Sequence, residues 1–246
     1  MLTEVLPAVW VSPNADIGAR VRFGRNIRIW GGSRVGDDSV IEDHCEIGHP
    51  DPITMQQART ALSGSGVLTL DDLDDWCKLP TVVGEGSIIR SGTVIYLGVQ
   101  AGENFDCGHN VVIRERCVFG RNCYLKVSTD VRRDVVVGHG ATLAGSLGDR
   151  SHLGDDVTSI GHLVHEYKSG KRGEIQGAPT LARGVFVGRG ALVIGGVRLQ
   201  ESCYVGAGAI VARDVPPRAL VLGCHGTIHE GRSPLSQHDD LPETDA

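Results

Sequence analysis

Aromatic residues are scarce, at 4% of 246 residues. Large rings supply much of the buried area of a thick core, so a thin interior is expected. Cationic surplus is also missing: 24 Lys and Arg stand against 30 Asp and Glu, for a net charge of −6. No broad phosphate-neutralising surface follows, which excludes a general nucleic-acid binder. No apolar run is long enough to cross a bilayer as a helix, so no membrane partner is expected. The first residues, MLTEVLPAVW, lack a basic stretch followed by an apolar one, so no signal peptide is expected. Seven cysteines contain no Cys-x-x-Cys pair, against both a zinc ribbon and a disulfide framework. A reducing, cytoplasmic setting is the natural expectation.

Glycine is abundant, at 34 residues, and a strict period organises the chain. From Val83 to Thr142 an aliphatic or small apolar residue recurs every sixth position: Val83, Ile89, Ile95, Ala101, Cys107, Ile113 and onward to Val137. Four residues after each comes a second inward candidate, from Ser87, Thr93 and Val99 to Ala141. A period of six matches neither an amphipathic helix nor an alternating strand. It matches a coil of three short flat sides, the repeat of an all-β parallel β-helix. Cys45, Cys107, Cys117, Cys123 and Cys203 fall in inward slots and read as small buried apolar residues.

The same period runs from Val11 to Ile47, slips between Leu143 and Leu147, resumes at Leu147, Leu153 and Ile160, and returns from Leu181 to Val211. One β-helix domain over residues 1–222 is expected, with 1–10 as a lead-in and 223–246 as a tail. Residues 48–82 break the period and form a mainly helical inserted excursion. Within it Ile53 to Leu62 reads as a short helix, and Thr69 with Asp72 as the capped start of another that carries Leu70, Leu73 and Trp76. A second, polar excursion at 165–180 holds KSGKRGE.

The closing hexads, VGAGAIVARDVPPRALVLG, and the register of the other repeats resemble the hexapeptide-repeat acyltransferase superfamily. The segments IIRSGTVIY and CGHNVVIRE resemble its branch that acetylates sugars, often nucleotide-linked amino sugars. The resemblance covers roughly residues 11–222. It implies a left-handed β-helix, a homotrimer with sites in the grooves between prisms, and acetyl-CoA as donor to a small amine or hydroxyl acceptor. Right-handed crossovers would otherwise be the rule. The chain departs from the family in reading VLGCHG where relatives carry a proline-containing turn.

Acyl transfer needs a base for the acceptor's proton, a donor for the oxyanion and a grip on a long anionic cofactor. His109, in the GHN segment, is the first candidate base, and His165, beside Glu166, the second. His139 reads as a surface residue. Arg90, Tyr96, Asn110, Arg114 and Glu115 surround the outward strip near His109 and are the expected substrate-binding residues. Arg90, Tyr96, Arg114, Lys126 and Arg132 fall where the repeat turns its corners, at a strained backbone position, which suggests a used surface; the alternative is a solvated charged face with ion-pair ladders such as Glu115 with Arg133. By the resemblance, Arg189, Ala207, Gly208 and Arg213 hold the CoA arm, Arg213 meeting phosphate; Lys168, Lys171 and Arg172 also lie within reach. Two alternatives stand beside this reading. One is a metal enzyme of the γ-carbonic-anhydrase kind, although His162 and His165 are three apart where that family spaces two ligands by five. The other is a non-catalytic scaffold. No metal is expected.

Overall fold

The protein is a left-handed parallel β-helix. Its structure, a computed structural model, describes residues 3–6, 8–61, 69–165 and 177–223. Glu166, Lys168, Lys171, Arg172, Cys224 and the tail from 224 onward lie outside the described residues. Among the described residues, three sheets of 11, 10 and 9 strands, parallel but for one end strand, form the sides of the prism. The chain visits them in a fixed order. Val9–Val11 opens the first face, Asp16–Ile17 the second and Arg22–Phe23 the third. The 11-stranded first face also carries Thr3–Leu6, which pairs antiparallel with Val9–Val11, so the lead-in is already a strand.

The inward slots are filled as the period requires. Val83, Ile89, Ile95, Cys107, Ile113, Leu125 and Val131 are fully buried, and so are Ser87, Thr93, Val99, Phe105 and Val111 in the second slot. One apolar cluster runs continuously from Val9 to Val215. A single medium side chain per face fills the interior, which is why so few aromatics suffice. Past the slip, the inward residue is Ser159 and not Ile160, which is half-buried. The period of six from Leu147 and Leu153 falls on Ser159, so Ile160 lies one residue past the slot, and the Ser159 hydroxyl is buried with no hydrogen-bond partner among the described residues.

The strained corner position lies two residues later than the sequence reading put it. Left-handed backbone occurs at Gly92, Gly98, Asn104, Asn110, Arg116, Asn122, Ser128 and Asp134, whereas Arg90, Tyr96, Arg114, Lys126 and Arg132 are not among such residues. The chain turns only after the outward residue that follows each strand, so those large side chains carry no corner strain. Gly92 takes the same corner, at φ +76°, where an added Cβ would crowd the Asn110 side-chain oxygen on the next coil.

The excursion is helical, as expected, and folds onto its own prism. Helix α1 spans Pro52–Ala61 and helix α2 spans Leu70–Asp74. Thr69 caps α2 through a reciprocal capping box with Asp72. Trp30, Ala58, Leu73 and Cys77 form a second small core, with Trp76 against it. Asp74 pins the excursion to the prism. Its buried carboxylate accepts from the Ser12 hydroxyl at 2.6 Å and from the Gly31 backbone N–H at 2.7 Å.

Candidate functional site

Each prism edge stacks one residue per coil. Call the edge from the third face to the first the leading edge, and the edge from the first face to the second the trailing edge. Ser91 and His109 succeed one another on the leading edge, where Asn110 donates its backbone N–H to the Ser91 carbonyl and Ser128 donates its own to His109. Glu42, two coils before His109, accepts from the Ser91 hydroxyl at 2.9 Å and from the Ser91 N–H at 3.1 Å. The same Glu42 oxygen is 3.7 Å from Nδ1 of His109. A fixed carboxylate thus faces a half-exposed imidazole without being directly bonded to it.

Arg90 and Asn110 are on this edge too, but each has a local partner or task. Arg90 forms a tight ion pair with Asp106. That hydrogen bond, with the Asp106 charge, outweighs burial and holds the guanidinium pKa above its usual value. Asn110 occupies a left-handed corner, at φ +55°. Tyr96, Arg114 and Glu115 stand on the trailing edge, away from His109. The Arg114 guanidinium lies 4.8 Å over the Tyr96 ring and donates through Nε to Glu115 at 3.0 Å. Glu115 is buried. Its partner is therefore Arg114; Arg133 pairs instead with Asp149 at 3.1 Å. The Glu115–Arg133 ladder of the alternative reading does not form, because the adjacent arginine on the same coil reaches the carboxylate first.

His165 follows the strand His162–Val164 on the first face and turns onto the trailing edge. It is half-buried, and stands on a different edge and on later coils than His109. His139 holds a structural post: its Nδ1 accepts the Arg121 backbone N–H at 2.9 Å. The Nδ1 of His162 is 3.0 Å from the Ser146 hydroxyl. Among the described residues no group of three or more His, Cys, Asp and Glu side chains is gathered as a metal site.

Arg189, Ala207 and Gly208 share the leading edge with His109. They follow the strands Phe186–Val187 and Tyr204–Val205 as His109 follows Asp106–Cys107. Arg189 is four strands beyond His109 along the third face, roughly 19 Å at the usual strand spacing. All three are exposed, and a Cβ added at Gly190 or Gly208 would meet no atom within 4 Å. This open stretch of small residues beside one arginine fits a long anionic cofactor lying along the edge. Arg213 is separate. It lies at the trailing edge, on the rim of a cavity of about 590 Å³ at the C-terminal end of the prism.

The cysteines are poor nucleophiles. Burial pushes the Cys45 thiol up to about 11 and the Cys77 and Cys117 thiols up to about 12. Cys107 is likewise shifted up by burial. At pH 8 the folded protein is expected to leave all six described cysteines unreactive toward Ellman's reagent until denaturant is added. Fast labelling of any of these six thiols in the folded protein, located by peptide mapping, would contradict that burial.

Sequence reasoning missed a histidine. His49 bonds Glu46 through Nδ1 at 2.7 Å and meets Tyr96 edge-on, with ring centroids 4.9 Å apart. The only signal was the GHPDP break in the period, which marks where one extra residue enters the coil.

Fold and likeness together bear out the resemblance to the hexapeptide-repeat acyltransferase superfamily. The serine acetyltransferase of Synechococcus elongatus is 29% identical over 173 residues, covering 68% of this chain and 56% of that protein. The galactoside O-acetyltransferase of Escherichia coli is 30% identical over 122 residues, covering 48% of this chain and 53% of that protein. The chain thus spans about half the length of these curated relatives. Among solved structures, an Arabidopsis UDP-N-acetylglucosamine acyltransferase is 15% identical with a TM-score of 0.32, covering 88% of this chain and 70% of that one, a loose overlap. No protein-family model matches the chain. No helix among the described residues is long and apolar enough to cross a membrane.

Proposed function

We propose that the protein is an acetyl-CoA-dependent acyltransferase acting on a small hydroxyl or amine acceptor, an amino sugar or sugar nucleotide in the finer reading. The single observation that carries this is the shared leading edge of His109, Arg189, Ala207 and Gly208, read beside the names of the acetyltransferase relatives. Acetyl-CoA supplies the activated acetyl group. Arg189 and the small-residue edge at Ala207 and Gly208 hold the donor, Arg189 through its charge on phosphate. Arg213, on another edge, serves only a second copy or the far end of the ligand. His109 takes the acceptor's proton at Nε2, with Glu42 facing Nδ1 to favour the imidazolium that forms. No covalent acyl-enzyme is invoked, since the buried thiols with raised pKa are unsuited to attack. Following the family resemblance, we hold the assembly to be a cytoplasmic homotrimer with His165 near a neighbouring groove.

A ligand that binds only the folded state raises its stability. CoA at about one hundred times its Kd is expected to raise Tm by about 5 °C or more, with a smaller rise in Arg189→Ala. No rise at saturating CoA would favour a scaffold and overturn the proposal.

A further inference from the structure

Of the residues expected around the acceptor, Tyr96 meets His49 on the trailing edge, Arg114 lies over the Tyr96 ring, and Glu115 is bonded to Arg114. The cause is a bulge. Gly48, at φ +79°, inserts one residue into the strand Glu46–His49, so that Tyr96 pairs with His49 after a register shift at Ile95. Bulges of this kind re-aim a side chain. Here the re-aimed imidazole meets a carboxylate already fixed on several sides. Oε2 of Glu46 accepts from the Trp30 indole N–H at 3.1 Å and from Nδ1 of His49 at 2.7 Å, and Oε1 lies 3.6 Å from Arg28. Burial favours the neutral acid. The hydrogen bond and charge of His49, with Trp30 and Arg28, outweigh it and hold Glu46 below the usual carboxylate range. A carboxylate at Nδ1 selects the tautomer whose Nε2 carries the lone pair. The ring is walled by Trp30 at 6.0 Å and Tyr96 at 4.9 Å between centroids, and about a quarter of the His49 side chain, 27%, is exposed.

We propose that His49, oriented by Glu46 and walled by Trp30 and Tyr96, is a recognition site whose Nε2 accepts a hydrogen bond from a hydroxyl or amine of the acceptor. The inference rests on the acyl-transfer reading and names the class of acceptor. His49 stands on the opposite edge of the first face from His109 and two strands away along that face, on the order of 14 Å by strand rise and spacing. A molecule touching both edges of one prism is therefore extended, with its reacting group at one end and its recognised group at the other. A nucleotide-linked amino sugar has that form; a free monosaccharide does not. His49 is a positioning residue, and nothing is transferred to it.

The test compares UDP-glucosamine with free glucosamine as acceptors, by thiol release from acetyl-CoA, in the unmodified protein, His49→Asn, His49→Gln and Glu46→Gln. The expected result is a KM for UDP-glucosamine at least tenfold higher in both His49 variants, with kcat, Tm and the CoA-induced thermal shift unchanged, and little change for glucosamine. The KM rise in Glu46→Gln is smaller. Independently of turnover, a histidine ¹⁵N–¹H correlation spectrum should show His49 protonated on Nδ1, moving toward the other tautomer in Glu46→Gln. An unchanged KM in both His49 variants, or His49 protonated on Nε2 in the unmodified protein, overturns the assignment. Absence of thiol release from the unmodified protein with either acceptor overturns the acyl-transfer reading itself, and this assignment with it.

Discussion

Replacing Asp74 with alanine is expected to cost about 3 kcal/mol, because two buried donors lose their acceptor together. The Ser12 hydroxyl and the Gly31 N–H both point at this carboxylate, and Asp74 and Ser12 are each only 2% exposed. Neither donor has water to turn to once the carboxylate is gone. The loss falls on the junction between α2 and the first coils, where Trp30 packs with Ala58, Leu73 and Cys77. Two of the three tryptophans, Trp30 and Trp76, stand at that junction, so fluorescence reports its opening. Guanidinium unfolding followed at these tryptophans should move to lower denaturant, while the parallel coils beyond residue 100 keep their hydrogen-exchange protection. Asp74→Asn keeps one acceptor oxygen and should lose about half as much. An unshifted midpoint in Asp74→Ala would mean that the excursion is held by apolar packing alone.

His109→Ala is expected to lower kcat by about 100-fold or more, the usual worth of a positioned general base. The ring is half-exposed, so its removal should change stability by no more than about 0.5 kcal/mol. The two effects are thus separable in one variant. Glu42 strengthens the expectation. Its carboxylate is held by the Ser91 hydroxyl and N–H rather than by the imidazole, 3.7 Å away. It therefore stays in place when His109 is removed, and the loss belongs to the ring itself. His139→Ala is the control: that ring caps the Arg121 N–H, so it should affect stability and leave kcat within twofold. Equal rates of thiol release in the unmodified protein and in His109→Ala would remove His109 from the chemistry.

The interior of this fold was legible from the chain because burial and period are one statement. A residue in an inward slot has a single apolar column to fill, and the hexad names its position. Even the cysteines obeyed that rule. The edges were legible only in part. The left-handed corner was misplaced by two residues, since side-chain size gives no direct reading of φ; Asn110 and Ser128 take the strained position while Arg114 and Lys126 do not. The ion pair that the alternative reading placed at Glu115 fails for a related reason. A column of residues eighteen apart suggests contact between coils, but a long arginine next door in sequence reaches the carboxylate first. His49 and Asp74 were hidden more deeply. One depends on a single-residue bulge at Gly48, the other on a hydrogen bond across sixty-two positions of sequence. Neither leaves a periodic trace.

The decisive measurement is acceptor-dependent acetyl transfer by the unmodified chain. Acetyl-CoA is incubated with serine, a methyl galactoside, glucosamine and UDP-glucosamine in turn, with free thiol and the acetylated product followed together. Buried cysteines keep the protein's own thiol background low. The expected result is thiol release that requires an acceptor and matches acetylated product one for one. Thiol release at the no-acceptor rate with every compound, at saturating acetyl-CoA, would contradict the assignment of this β-helix as an acyltransferase.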